Sequence, residues 1–300
     1  MKNYTFLLLS AIILFIGGCS KDKPAQPATG TLHTVKINIT SADFSQQLIS
    51  SNNSRIKTDA VISDPGLLKN YIDTLYVNFA GKEFHFGKKT FSSMIITNKF
   101  SSGSSVYVKG IAGKSNLTVE DNGAYYGLYG GLPWSDCFAG QQTFTVGNSD
   151  ITVNFQLNRI VADLKVIIQD KLPTNLDHIT LAFSKSYWRY NLITMQTDTA
   201  TDPLLNKRSY DYAVADTSVG KPNFMIDFLT INTIAPFTLT ISAYDKSKNL
   251  IASKVITNIK LTTNQKTILT GTLFGGTTNS NPGYNASADT TWGATTVKSF

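Results

Sequence analysis

At 300 residues, 42% hydrophobic and only 16% charged, the chain has room for one large or two ordinary domains whose cores need no staples. Glutamate, a favoured helix former, occurs only at Glu83 and Glu120, while Thr, Ser, Asn, Tyr and Phe abound, a composition that suits pleated, half-buried surfaces rather than helices. The net charge of +7 comes mostly from scattered lysines, with arginine only at Arg55, Arg159, Arg189 and Arg208. Nothing in this resembles the clustered basic, aromatic-lined face of a nucleic-acid binder.

Residues 1–18 read as a secretory signal. Lys2 supplies the positive start, and Phe6 to Ile16 supplies an apolar run too short to span a bilayer comfortably. The run ends in Ile16-Gly17-Gly18-Cys19, which resembles the lipobox of bacterial lipoproteins. That resemblance implies that Cys19 is lipidated and becomes the mature N-terminus, and more than one acyl chain makes such anchoring stable. Residues 19–30, with Pro24 and Pro27, read as an extended tether. The polar run after the cysteine is similar to export signals of surface-exposed lipoproteins, although only Asp22 is acidic. The expected location is therefore the outer membrane, lipid-anchored and facing outward.

Strand patterns follow. Val35, Ile37 and Ile39 alternate with polar residues, and after a polar stretch over 41–70 so do Leu75, Val77 and Phe79. Further strands are expected at Phe84 to Phe86, Ser93 to Thr97, Ser105 to Ile111 and Gln141 to Val146. Gly123 to Gly140, rich in Gly and Tyr, reads as a long exposed loop. In the stretch from Ile151 to Asp170 the apolar parity flips: odd positions Ile151, Val153, Phe155 and Leu157 give way to even positions Ile160 to Ile168. One straight strand cannot keep both sets on one face, so the flip at Asn158-Arg159 marks either a bulge or a hand-over between two β-domains. Ile179 to Phe183 continues the pattern, and residues 196–222 read as irregular. Phe237 to Ala243 and Ile251 to Leu261 read as a hairpin around Asp245 to Asn249, followed by Thr267 to Phe274. The tail, 276–300, could be unstructured or could supply a last strand over Trp292 to Val297.

Candidate sites are few. His33, His85 and His178 lie far apart, without metal-ligand spacing. With Cys19 lipidated, Cys137 is the remaining cysteine, which leaves no intrachain disulfide. No carboxylate pair or phosphate-binding glycine loop is recognisable. The expectation is no catalysis, no metal and no cofactor. The aromatics of two segments, Tyr126, Tyr129 and Trp134 in one and Trp188 and Tyr190 in the other, are candidates for stacking on a glycan or anchoring an interface, or else for capping the cores.

Val153 to Leu164 (VNFQLNRIVADL), Asp170-Lys171-Leu172-Pro173, Thr240 to Asp245 (TISAYD) and Asn264 to Phe274 (NQKTILTGTLF), together with the lipobox, resemble the fimbrillin superfamily of fimbrial stem, tip and anchor lipoproteins. The resemblance implies two tandem transthyretin-like antiparallel β-sandwiches, over 31–157 and 158–275, and a tail able to act as a donor strand. It implies assembly with other fimbrial subunits by strand donation, with main-chain hydrogen bonds supplying affinity. In stem subunits a cut after an arginine beyond the first strand opens the acceptor groove; here that arginine would be Arg55. Uncut, the chain would be an anchor or accessory subunit. The competing expectation is an outer-membrane glycan-binding lipoprotein of a polysaccharide-uptake system.

Overall fold

The computed structural model describes residues 30–41, 72–87, 95–114, 117–120, 125–128, 134–199, 208–275 and 294–297. The first half contributes β1 (Leu32–Ser41), β2 (Thr74–Phe79), β3 (Lys82–Gly87), β4 (Ile95–Ser101), β5 (Ser105–Gly113), β6 (Leu117–Glu120), β7 (Tyr125–Leu128), β8 (Phe138–Thr145) and β9 (Ile151–Arg159). The second contributes β10 (Ala162–Ile168), β11 (Leu176–Phe183), β12 (Arg189–Asn191), β13 (Gln196–Thr197), β14 (Arg208–Ala213), β15 (Phe224–Thr230), β16 (Phe237–Asp245), β17 (Leu250–Ile259), β18 (Gln265–Gly271) and β19 (Ala294–Val297). One 3₁₀ turn, Asp216–Ser218, is the only helical element among the described residues. The all-β sandwich expectation holds.

Seven of the first-half strands form one sheet in the order β3-β2-β5-β8-β9-β1-β4. β9 runs parallel to β1 from Val35/Ile151 to Ser41/Leu157 and reaches β8 only through its last two residues, Asn158 and Arg159. The sheet thus folds over at the β8–β9 corner into two layers. Val35, Ile37, Val77, Phe79 and Phe155 are fully buried between the layers, each contributing about 1.5–3 kcal/mol of burial. The second half stacks β15-β10-β18-β19 against β14-β11-β16-β17, with Leu164, Val166, Leu181, Ile241 and Leu269 buried between them.

The pairing is not purely antiparallel as expected. In each half the first strand lies parallel to the last core strand, β1 to β9 and β10 to β18, a pairing that alternation within one strand cannot reveal. The parity flip coincides with the passage from β9 to β10: Arg159 ends one strand, and Ile160 and Val161 are buried in a third cluster with Ile111, Trp134 and Cys137.

Two loop expectations need correction. Gly123 to Gly140 is not one long exposed loop, because Tyr125–Leu128 is β7, Cys137 is fully buried and β8 begins at Phe138. Residues 196–222 include β13, β14 and the 3₁₀ turn. The reason is shared in part: β7 pairs with β12, and β12 with β13, giving a four-stranded sheet β13-β12-β7-β6 built from both halves. Strands of two to four residues show too little alternation to be read, and β7 and β12, which join the two halves, lie some 60 residues apart in sequence.

Candidate functional site

Assembly by strand addition requires a lodged strand, an edge and a donor. β1 carries the alternating set Val35, Ile37 and Ile39, all at 0% exposure. It sits inside its sheet, antiparallel to β4 from Leu32/Ser101 to Asn38/Ile95 and parallel to β9. Asp150 Oδ1 accepts from Thr34 N at 2.7 Å and Asn38 Nδ2 donates to Asn154 Oδ1 at 3.1 Å, so side chains also hold the strand in register. Without β1, β4 and β9 would face each other across the width of one strand, with main-chain groups unpaired on both sides.

At the other end of the chain, β19 lies parallel to β18, from Gln265/Ala294 to Ile268/Val297, so a strand does form within the expected span of Trp292 to Val297. The departure of the tail is pinned. The Asp170 carboxylate, just beyond β10, accepts from the main-chain N–H groups of Leu273 (3.0 Å), Phe274 (2.5 Å) and Gly275 (2.8 Å). Three consecutive amides gathered on one carboxylate form an anion nest filled by the protein itself.

Between the halves, the Arg159 guanidinium grips Asp136 through two N–H···O bonds of 2.8 Å and donates to Asn264 Oδ1 at 3.2 Å. It also lies 5.3 Å from the centre of the Phe138 ring. The fork geometry that a carboxylate matches so well requires arginine here. Asn264, at φ 56°, donates its main-chain N–H to Val161 O, so the turn before β18 is tied to the same joint. Arg189 on β12 lies 3.5 Å from Glu120 on β6 and 3.8 Å from Asp198, tying the shared sheet together. On the second sandwich, Lys266 pairs with Asp163 at 3.2 Å, both nearly buried. Burial is the main reason that the Asp163 carboxyl stands above its ordinary range, with Lys266 opposing the rise.

The candidate aromatics separate into several environments. Trp134 (5% exposed) and Tyr190 (7%) are interior. Trp134 donates Nε1–H to Tyr187 O, and its main-chain N–H goes to Leu229 O. Neither ring is available for stacking on a glycan, so of the two alternatives for these residues their burial fits the capping of a core: both belong to the apolar cover of the joint between the halves. Trp188 is half-buried, with the Arg189 guanidinium 5.5 Å from its ring centre. Tyr126 lies on β7, opposite Val119 and Tyr190 in register. Cys19, Arg55 and Tyr129 lie outside the described residues. Burial, chiefly, pushes the Cys137 thiol well above its usual range, and its Sγ–H points to Ala112 O at 3.2 Å, the setting of a packed residue rather than a nucleophile. Among the described residues no group of three or more His, Cys, Asp or Glu is placed to hold a metal ion.

The model of a family of unknown function, DUF6562, matches residues 117–297, from the first residue of β6 to the last of β19. The chain belongs to the DUF6562 family. The stretch shared with this family therefore includes the whole second sandwich, the sheet built from both halves, the Arg159–Asp136 joint and the terminal strand, while β1 precedes it. No curated protein matches the chain. Solved structures similar to this DUF6562 member include a fimbrial assembly protein from Parabacteroides distasonis, at 10% identity and a TM-score of 0.49, with 90% of this chain and 99% of that one covered. They also include the fimbrial anchor protein Mfa2 from Porphyromonas gingivalis, at 12% identity and a TM-score of 0.42, with 75% and 82% covered.

Sequence reasoning missed the joint. Arg159 stood at the parity flip and was in view, but Asp136 lies within what reads as a loop. Their 23-residue separation matches no local motif. The one available signal was the rarity of arginine in a lysine-rich chain.

Proposed function

We propose that the chain is a lipid-anchored subunit of a surface fimbria, made of two sandwich units over 31–157 and 158–275, that assembles by β-strand addition and serves adhesion without catalysis. The observation that carries this reading is the position of β1. It is a first strand with three fully buried residues, lodged between β4 and β9 and preceded in sequence by Cys19 and the tether. Those three side chains together account for roughly 5–9 kcal/mol of burial, comparable to the net stability of a whole domain. A groove left by β1 therefore demands a replacement strand, and the neighbouring edges supply main-chain partners on both sides. The donor is the tail, 276–300, whose β19 adds to the β18 edge here and is long enough to reach another copy.

Cys19 carries the lipid. If the chain is cut after Arg55, lipid and β1 leave together and a polymer unit results; if it is not, the chain is an anchor or accessory subunit. The partners are then other fimbrial subunits and the outer membrane, with a host surface or glycan as the adhesion target. Fimbrial assembly and anchoring are also the roles named for the two solved proteins above.

The test is to isolate the protein from its own cells. An SDS-resistant ladder or co-purifying subunits are expected, and both should vanish when residues 276–300 or 32–41 are deleted. N-terminal analysis separates the two forms: lipidated Cys19 in the anchor, Ile56 in the processed unit. A protein that stays single under these conditions, or a ladder indifferent to both deletions, would sink the reading.

A further inference from the structure

The β8–β9 corner leaves an opening that assembly does not use. The two strands share only the pairs Phe138/Arg159 and Ala139/Asn158. Beyond them β8 follows β5 while β9 follows β1, so the strands part like the arms of a V. The resulting cleft holds about 380 Å³ and is lined by Gly140, Gln141, Gln142, Gln156, Asn158 and Met195, a volume within the range of small-molecule sites.

Its chemistry is unusual in a chain with this many lysines, because among the described residues no lining side chain is ionisable. Four are amides. Gln156 Nε2 donates to Asn158 Oδ1 at 2.9 Å, and Tyr107 Oη donates to Gln141 Oε1 at 2.8 Å. These two bonds leave Gln156 Oε1 as an acceptor and the Asn158 and Gln141 amide N–H groups as donors, while Gln142 offers both. None of these remaining groups has a partner among the described residues. The floor stays at main-chain level because position 140 is glycine: a β-carbon there would overlap the Gln156 main-chain oxygen.

The second half supplies the remaining wall. Met195 occupies the turn between β12 and β13 at φ 53°, a conformation that non-glycine residues adopt only when their surroundings impose it. Here Asn191 imposes it, since its Oδ1 accepts from the main-chain N–H groups of Ile193 (2.8 Å) and Thr194 (2.9 Å) in an Asx turn. The turn brings a polarisable, apolar thioether to a cleft otherwise made of neutral donors and acceptors.

We propose that this corner is a binding site for a neutral pyranose unit of an oligosaccharide. Each sugar hydroxyl both donates and accepts, which matches amides that present both functions, and the C–H face of the ring matches the thioether. A sugar acid or phosphate would find no counter-charge among the described lining residues. An open site of this kind binds weakly one copy at a time, and many copies on one filament would raise the avidity by orders of magnitude. The assignment rests on the corner itself and not on strand addition, so the two fail separately: a chain that forms ladders but binds no sugar loses only this site.

Saturation-transfer NMR on the full chain in detergent, with maltotriose, mannotriose and N,N′-diacetylchitobiose as neutral probes and trigalacturonate as the charged probe, tests the proposal. At least one neutral probe should receive saturation and trigalacturonate should not. The signal should fall at least fivefold in Gln142→Ala/Asn158→Ala. Gln142→Ala alone, which removes no hydrogen bond among the described residues, should show a smaller fall with an unchanged melting temperature. Saturation of none of the neutral probes, equal saturation of the charged one, or signals that survive both variants would overturn it.

Discussion

Replacing Asp136 by alanine removes the carboxylate that takes two of the Arg159 N–H groups, both at 2.8 Å. Breaking a buried pair from one side costs about 3–5 kcal/mol because a charge is left without its partner. The Arg159 and Asp136 side chains retain 10% and 19% exposure, so water recovers part of the loss and the expected cost is about 2–3 kcal/mol. Asp136→Asn keeps one acceptor and should cost about 1–2 kcal/mol. Urea unfolding followed by tryptophan fluorescence is the fitting assay, because Trp134 belongs to the same buried cluster as Cys137, Ile160 and Val161. The midpoint should fall by roughly 0.7–3 M for an m-value of about 1–3 kcal/mol/M, and a single transition should begin to split as the halves uncouple. Arg159→Met combined with Asp136→Ala should cost less than the two changes summed, the mark of groups in direct contact. A loss below about 0.5 kcal/mol for Asp136→Ala would show that water serves the guanidinium as well as the carboxylate does, and would refute the reasoning.

Gly140→Ala forces β8 away from the Gln156 main chain and should destabilise by about 2–4 kcal/mol, read as a drop in melting temperature. Asp163 holds its proton more tightly in the folded chain than in the unfolded one, so its contribution to stability falls as the pH rises through and above the ordinary aspartate range. Stability measured across pH 3.5 to 7 should accordingly move against the wild type relative to Asp163→Asn as the pH climbs, and a pH-independent difference would contradict this. Lys254 stands opposite Ile241 on the last strand of its sheet, a charge on the core-facing side of an edge that discourages pairing. Lys254→Val should therefore raise self-association, seen as concentration-dependent sedimentation, and an unchanged profile would argue against the guard.

Long alternating strands were readable before the structure because burial on one face writes itself into every second residue. β16 carries Phe237, Leu239, Ile241 and Ala243 inward, and β1 carries Val35, Ile37 and Ile39. The parity flip near Arg159 was readable for the same reason. The parallel pairings of β1 with β9 and β10 with β18 were not, because alternation says which face is buried and nothing about the neighbour. β15 escaped too: Phe224-Met225-Ile226-Asp227-Phe228-Leu229-Thr230 is apolar on both faces, with Met225 exposed at 58%. The neutral cleft depends on where two strands part, and its amides read in sequence as ordinary outward-facing residues. Trp134 and Tyr190 read in sequence either as stacking rings or as core caps, and the choice lies in distant pairings: Trp134 bridges Leu229, and Tyr190 on β12 faces Tyr126 on β7.

The pairing of first strand with last in each half has a mechanical consequence. Pulled from its two ends, the chain draws β1 backward and β9 forward along their common axis, and does the same to β10 and β18. The seven registered pairs of the first couple and the six of the second must then slide together instead of peeling apart one at a time. Load on a filament of such units would meet bonds acting in parallel, and each module would resist as a seam under shear rather than as a zip.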